Sequence, residues 1–496
     1  MITTMAERGP VGTVPAFARW PVIAVAAVVG VLLTAVSGQY GYFGDELYFI
    51  AAGNHLAWGY ADQPPLLPLI ALAMDTIAPG SVAVLRIPAT LAIVAAVVLG
   101  ALLAREFGGG RRAQLLAAGA VAVSPGMLAT GHLLATSTFD PVLWIALTWL
   151  LVRWVRTRSD GLLLAAGIVT ALALQVKFLI VGFWVIAIIA LLVCGPREML
   201  RRPMLWLGGA IAVLTTVPTL VWQAQNGWPQ LEMGRIIAAE SVYAGGMLGF
   251  LPLGFFAAGL LVGSVLGVYG IVRLLRAPDL RFLAVTALGV AVLFMLVGGR
   301  PYYLAGLLPM LWAAGAAGVE QHRPAVWWRW VPTLPVYAVT VLLLGLGNVL
   351  PIQPVSAHAD KPLMIGNFQL DEIGWPQMVA DVQAAYRALP PDAARDAVVV
   401  SGDYWSYSAV QYFASELRSY SYSRGAGWFG VPPEDSRAVV FIGDPTEVAP
   451  AFDSVRQVGA LDNDVRVNNL AQGTPIFLLE GRSRPWAPLW QDVRHL

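Results

Sequence analysis

The chain of 496 residues is 57% hydrophobic and only 12% charged, with a formal net charge of +1. That balance excludes an ordinary soluble globular protein and leaves no electrostatic footprint for nucleic acid. A single cysteine, Cys194, excludes an intramolecular disulfide framework and a cysteine-based metal cluster.

In chain order, the stretch MITTMAERGPVGTVPAFARW precedes an apolar run at 20–37 that no small-residue cleavage site follows. It reads as a cytoplasmic tail and a retained first span. A span needs roughly 20 residues, with about 17 as the practical minimum. Further candidates fall near 82–103, 113–131, 137–152, 161–176, 178–194, 203–222, 248–272, 282–297, 302–319 and 331–350. The arginines test that series. Arg8 and Arg19 precede the first run, and Arg105, Arg111 and Arg112 share a gap. Arg153, Arg156 and Arg158 share another, as do Arg197, Arg201 and Arg202, then Arg273, Arg276 and Arg281, then Arg323 and Arg329. These are alternate gaps, which the positive-inside rule assigns to the cytoplasm. The expectation is an α-helical protein of the inner (plasma) membrane with about eleven spans, N-terminus inside and C-terminal region outside.

Residues 64–78 are apolar but short, and counting them as a crossing breaks the arginine alternation. They read as a re-entrant or surface-lying segment. From about 353 onward charges and prolines rise. Helical patterns at 375–389 and 404–415 alternate with β-type runs at 397–401, 438–443 and 475–480. Two domains follow: a membrane part, 1–352, and a small extracytoplasmic α/β domain, 353–496.

The residues with chemistry cluster on the outer side. Asp45, in YGYFGDELYF, stands where the first span ends; it reads equally as a general base at a wet–dry boundary or as a helix N-cap. Glu46 reads as a solvated first-turn acid, and Tyr48, Phe49, Trp58 and Tyr60 suit the headgroup zone. Asp62, before Gln63-Pro64-Pro65, fits an ordinary helix start. Lys177 and Lys361 are the only lysines. From Gly161 a helix reaches Lys177 after about 24 Å, near the far face of the hydrocarbon layer. There it is either a snorkelling lysine or a cation for a phosphate. Arg300, followed by Tyr302 and Tyr303, offers a bidentate fork at another outer mouth, and Arg86 is a third outer cation. Three cations and an acidic loop on one face describe a phosphate-holding, hydroxyl-activating pocket. His55, His132 and Asp140 lack ligand spacing, so no metal is expected, and a divalent cation has no support.

The segment GYFGDELYFIAAGNHLAWGYADQPPLLPL resembles the first extracytoplasmic loop of bacterial family 39 glycosyltransferases. These are related to the dolichyl-phosphate-mannose protein mannosyltransferases and the aminoarabinose transferases of lipid A. The likeness continues through GHLLATSTFDPVLW, LALQVKFLIVG, TLVWQAQNGWPQ and GGRPYYLAGLLPMLWAAGA, and weakly at GAGWFGVPP. It implies a GT-C fold with juxtamembrane helices on the outer surface and a polyprenyl-phosphate-sugar donor. It also implies Asp45 as catalytic base, with Lys177 and Arg300 at the donor phosphate; Arg86, read from the residues as a third outer cation, is expected to join them there. Glu46, Tyr48, His55 and Tyr60 are the expected pocket lining, with Asp62, Gln63, Tyr302 and Tyr303. Gln63 stands where the lipid A branch has lysine, which departs from aminoarabinose specificity. The expected activity is transfer of a sugar to an acceptor hydroxyl on a lipid, glycan or protein, with the bilayer as setting and no cofactor. The rival expectations are a transporter or flippase of a lipid-linked sugar, or a non-catalytic scaffold that binds cell-wall material.

Overall fold

The computed structural model describes residues 14–241, 246–322, 324–363 and 368–496. The expectations that rest on Arg8 and Arg323 lie outside them. Up to Leu346 the described chain is helical, and the strands all follow Val398.

Four helices are long and apolar enough to cross a membrane: Arg19–Val36, Val82–Glu106 (interrupted at Arg86), Thr136–Thr157 and Pro203–Gln225. The number rises to six if each of two bent helix pairs is one crossing. The expected run 113–131 is one such pair, broken at Ser124-Pro125 with a 56° bend. The expected span 248–272 is also broken, because Gly259 takes a φ of 89° between the helices Gly246–Ala257 and Leu260–Arg276. The remaining apolar runs form shorter helices, among them Gly161–Leu174, Ile180–Cys194, Arg281–Leu296 and Leu334–Leu346. Segment 64–78 is a helix of 12 residues, Leu66–Ile77, about 18 Å long and short of a ~30 Å hydrocarbon layer.

Close helix approach depends on small residues. A Cβ on Gly270 would stand 2.0 Å from the Leu311 carbonyl, and one on Gly315 would stand 2.1 Å from that of Leu266. The helices Leu260–Arg276 and Leu308–Gln321 therefore meet backbone to backbone, the way small residues pack helices in lipid.

The C-terminal part carries a five-stranded sheet, ordered β2-β1-β3-β5-β4. Its strands are β1 (Val398–Ser401), β2 (Ser419–Ser421), β3 (Ala438–Ile442), β4 (Phe452–Ala460) and β5 (Pro475–Arg482). The β2, β1 and β3 strands run parallel, while β5 is antiparallel to β3 and to β4. Period-two alternation divides their side chains between two cores. Val398, Val400, Phe441 and Leu479 pack with Trp486 and Trp490. On the other face Val399, Val440 and Leu478 pack with Val379, Val382 and Val410. That second core continues into Leu47, Tyr48, Phe49 and Ile50, then into Leu67, Leu85, Leu134 and Val176. One apolar core thus fastens the sheet-bearing half onto the helix Gly44–Asn54.

Candidate active site

The helix Gly44–Asn54 begins after Phe43, which occupies the N-cap position, so Asp45 lies inside the first turn and is not the cap. Glu46 anchors that turn. Its carboxylate accepts from the backbone N–H of Phe43 at 2.9 Å and of Leu134 at 2.8 Å. The Arg86 guanidinium adds bonds of 2.9 and 2.7 Å. Arg86 also donates to the carbonyls of Ser37 and Gly41 and to Glu372, which meets His132 at 2.8 Å. Both Glu46 and Arg86 have 0% exposure.

Two expectations are corrected here. Glu46 is neither solvated nor open to a substrate, and Arg86 is a structural cation whose guanidinium already serves five protein acceptor contacts. Burial of a charge demands such partners, and each of these is the other's.

With Glu46 turned inward, the next residue around the helix, Asp45, faces the helix Tyr404–Phe413. Its Oδ1 accepts from the Tyr404 hydroxyl at 2.9 Å and from the Trp405 indole N–H at 2.8 Å. Gly44 makes this approach possible, since a Cβ there would lie 2.2 Å from the Trp405 ring. Asp45 is half-buried, and among the described residues nothing bonds its Oδ2. Burial, then the Asp45 charge beside it, holds the Tyr404 hydroxyl well above the usual phenol range. Tyr404 therefore stays a donor. The result is a carboxylate with one oxygen fixed and one available for a proton.

Tyr404 links Asp45 to a set of charges. The Arg424 guanidinium sits 5.8 Å over its ring, and Arg424 also pairs with Glu240. Glu240 joins Arg300 at 2.5 Å. Beyond Arg300, the Lys177 ammonium stands 4.4 Å from the ring centre of Tyr303 and 5.6 Å from that of Tyr302. Lys177 occupies the turn between the helices Gly161–Leu174 and Ile180–Cys194. It has no hydrogen-bond acceptor among the described residues; these aromatic faces hold it, and the Asp140 carboxylate adds an attractive charge from farther off.

Arg424 was not singled out from sequence. Its φ of 52° is unusual for a non-glycine residue, and it directly precedes the weakly matching GAGWFGVPP. That match is the one signal that could have drawn attention to it.

The remaining expected residues form a layer beneath. Tyr48 donates to Asp62 Oδ1 at 2.9 Å, and burial pushes the Asp62 carboxyl up against the pull of Tyr48 and Arg424. Tyr60 donates to the Ala52 carbonyl at 2.9 Å, and Gln223 holds its backbone at 2.8 Å. Gln63 is buried, and its side-chain nitrogen has no partner among the described residues. His55 stacks on Phe429 at 4.7 Å. Asp140 accepts from Trp144, in a different place from His132 and His55. Among the described residues no group of three His, Cys, Asp or Glu is gathered as for a metal ion.

Residues 62–222 match the model of the family described as dolichyl-phosphate-mannose-protein mannosyltransferase. The architecture as a whole is a GT-C fold, mostly helical with a small C-terminal sheet. Among solved structures, the chain is similar to ArnT from Cupriavidus metallidurans in the apo state. The TM-score is 0.60 at 14% identity, over 92% of this chain and 97% of that one. ArnT bound to undecaprenyl phosphate gives 0.59 at 15% identity over the same shares, 92% and 97%. The archaeal oligosaccharyltransferase AglB from Archaeoglobus fulgidus, in complex with an inhibitory peptide and a dolichol-phosphate, gives 0.50 at 10%, over 86% and 70%. Comparison with curated proteins gave no match.

Proposed function

We propose that this chain is a membrane glycosyltransferase that moves a sugar from a polyprenyl-phosphate carrier to an acceptor hydroxyl on the extracytoplasmic face. The observation that carries the reading is the line of contacts from Asp45 through Tyr404, Arg424 and Glu240 to Arg300, with the Lys177 ammonium against the rings of Tyr302 and Tyr303 that follow Arg300 in the chain. A carboxylate stands at one end of it, and at the other a lysine that no acceptor among the described residues hydrogen-bonds. ArnT with undecaprenyl phosphate and AglB with dolichol-phosphate share the fold, which supports a lipid-phosphate ligand here.

In this reading Asp45 Oδ2 takes the proton of the acceptor hydroxyl. The hydroxyl oxygen forms its bond to the anomeric carbon as the bond from that carbon to the phosphate oxygen breaks. The polyprenyl phosphate leaves with the electron pair, and Lys177 and Arg300 stabilise its charge, with Arg424 beside them. Tyr302 and Tyr303 orient the ammonium, and the lipid tail lies between helices.

The arginine alternation supports an arrangement with the N-terminus cytoplasmic and the domain 353–496 outside. About eleven crossings require the shorter apolar helices to span as well. At 1.5 Å per residue a 14-residue helix reaches about 21 Å, so local thinning of the bilayer is part of the proposal.

The test is transfer by the purified protein in nanodiscs, using synthetic polyprenyl-phosphate mannose, arabinose and aminoarabinose donors and a mixed glycolipid acceptor. Release of polyprenyl phosphate coupled to labelled acceptor is expected for one donor. Donor binding without any release would contradict the reading.

A further inference from the structure

A cavity of about 320 Å³ lies where the end of the helix Gly44–Asn54 meets the later turns of the helix Tyr404–Phe413. Its volume is at the lower end of the range for small-ligand sites. His55, Tyr407, Gln411, Ser419, Tyr420 and Phe429 line it.

The polar groups of this lining are unspent. Ser419 is 6% exposed, and its buried hydroxyl has no partner among the described residues. The Tyr407 and Tyr420 hydroxyls and the Gln411 amide likewise have none there. These two tyrosine hydroxyls and this amide, free of protein partners on the cavity wall, can donate to and accept from a ligand there.

The charges nearby are already committed. Arg418 donates to the carbonyls of Arg395 and Ala397, each at 3.3 Å, and Glu416 accepts from Gln383 at 2.7 Å. Arg418 is the one arginine or lysine among the lining residues, and these carbonyls hold its Nη2. Flat apolar faces complete the wall, with His55 and Phe429 stacked at an interplanar angle of 7°. Burial lowers the His55 pKa, which favours the neutral ring. Aromatic faces for C–H surfaces, together with free hydroxyl and amide groups, match one ligand chemistry: an uncharged sugar ring.

Its position relative to Asp45 gives this ligand a role. Asp45 and Tyr48 lie on one stripe of the helix Gly44–Asn54, which His55 directly follows, and Tyr404, Tyr407 and Gln411 lie on one stripe of the helix packed against it. Both helices run from the carboxylate to the cavity. Ten residues of rise separate Asp45 from His55, about 15 Å.

We propose that the cavity is a glycan-binding subsite, formed by the C-terminal half, that holds an uncharged sugar of an extended acceptor remote from the transfer point. Its role in transfer rests on the glycosyltransferase reading, while its capacity to bind sugar does not. An acceptor reaching both places is an oligosaccharide or a glycan-bearing lipid, not a monosaccharide.

The experiment uses the full chain in nanodiscs without donor and three uncharged probes: mannotriose, galactotriose and arabinotriose. Saturation-transfer NMR reads binding. At least one trisaccharide is expected to bind, with Tyr420→Ala and Gln411→Ala each weakening it tenfold or more. Tyr420→Phe should retain most of the stacking contribution, and Asp45→Asn should leave binding unchanged. In transfer assays Gln411→Ala should raise the acceptor KM with kcat and donor KM preserved. Binding that ignores the Tyr420→Ala and Gln411→Ala changes, or no binding of any probe, overturns the subsite even if transfer is active. Loss of probe binding in these variants of a protein that transfers nothing would uphold the subsite and sink the glycosyltransferase reading instead.

Discussion

Trp405 donates its indole N–H to Asp45 at 2.8 Å, joining two residues 360 positions apart in the chain. The carboxylate proposed to act as base therefore takes its orientation from the C-terminal half, and the membrane part alone holds an unfinished site. Trp405→Phe keeps the ring that packs on Phe43 at 5.1 Å but removes the donor. A hydrogen bond to a charged group contributes about 1.5–3 kcal/mol, so transfer should fall roughly 10- to 100-fold. The melting temperature should change little. Unchanged kcat in this variant would separate Asp45 from its C-terminal support.

Arg86 should behave as a structural residue. Removing one partner of a buried pair costs about 3–5 kcal/mol because the other charge is left stranded. Arg86→Ala should thus lower the melting temperature in detergent steeply, and Arg86→Lys should not restore it, since lysine lacks the fork that serves Glu46 twice. A stable Arg86→Ala variant with only a raised donor KM would return this residue to the donor site.

Glu240 occupies the guanidinium groups of both Arg300 and Arg424 with one carboxylate. An incoming phosphate competes for the same donors. Arg300→Ala should raise the donor KM by at least tenfold, and Arg300→Lys by less, because charge survives the loss of the fork. Glu240→Gln weakens the competing anion and should lower the donor KM. Michaelis kinetics with a synthetic donor measures all three, and a raised KM in Glu240→Gln would show that Glu240 helps donor binding.

Asp371 supplies a pH test of the junction. Burial pushes its carboxyl up to about 6, with Glu372 and Asp45 adding to the rise and the Leu470 N–H opposing it. The unfolded value is about 3.9, so between the two the folded protein holds a proton that the unfolded chain releases. The associated stability is present below about 3.9 and is lost as pH rises through about 6. It amounts to about 3 kcal/mol at most. Wild-type melting temperature should fall between pH 5 and pH 7 by more than that of Asp371→Asn, which cannot titrate. Parallel curves would remove Asp371 from the account.

The sequence exposed those features whose signal is local. The helix at Trp375–Arg387 and the strands Val398–Ser401, Ala438–Ile442 and Pro475–Arg482 lie within about two residues of their expected limits. Strand β4 was missed because it is an edge: after Phe452 its residues are exposed, and DSVRQVGA carries no buried alternation. Strand β2 has three residues, too few for a pattern. Helix lengths in the membrane part were overread because hydropathy does not register a break such as Gly259. In the site, Asp45 and Lys177 stood out by type and setting. Tyr404, Trp405, Arg424 and Glu240 did not, since their roles arise only from long-range docking. Arg86 and Glu46 were misread for the same reason: each looks like a surface charge until its partner is known.

The central claim is that Asp45 removes the acceptor proton. Asp45→Asn keeps size and the oxygen that accepts from Tyr404 and Trp405, while removing the proton acceptor. The decisive measurement is single-turnover transfer from a synthetic polyprenyl-phosphate sugar by wild type and Asp45→Asn, with melting temperatures recorded for both. A drop of roughly 10²–10⁴-fold at equal stability and equal donor affinity is expected, the usual contribution of general base catalysis. Transfer at the wild-type rate by Asp45→Asn would contradict the account.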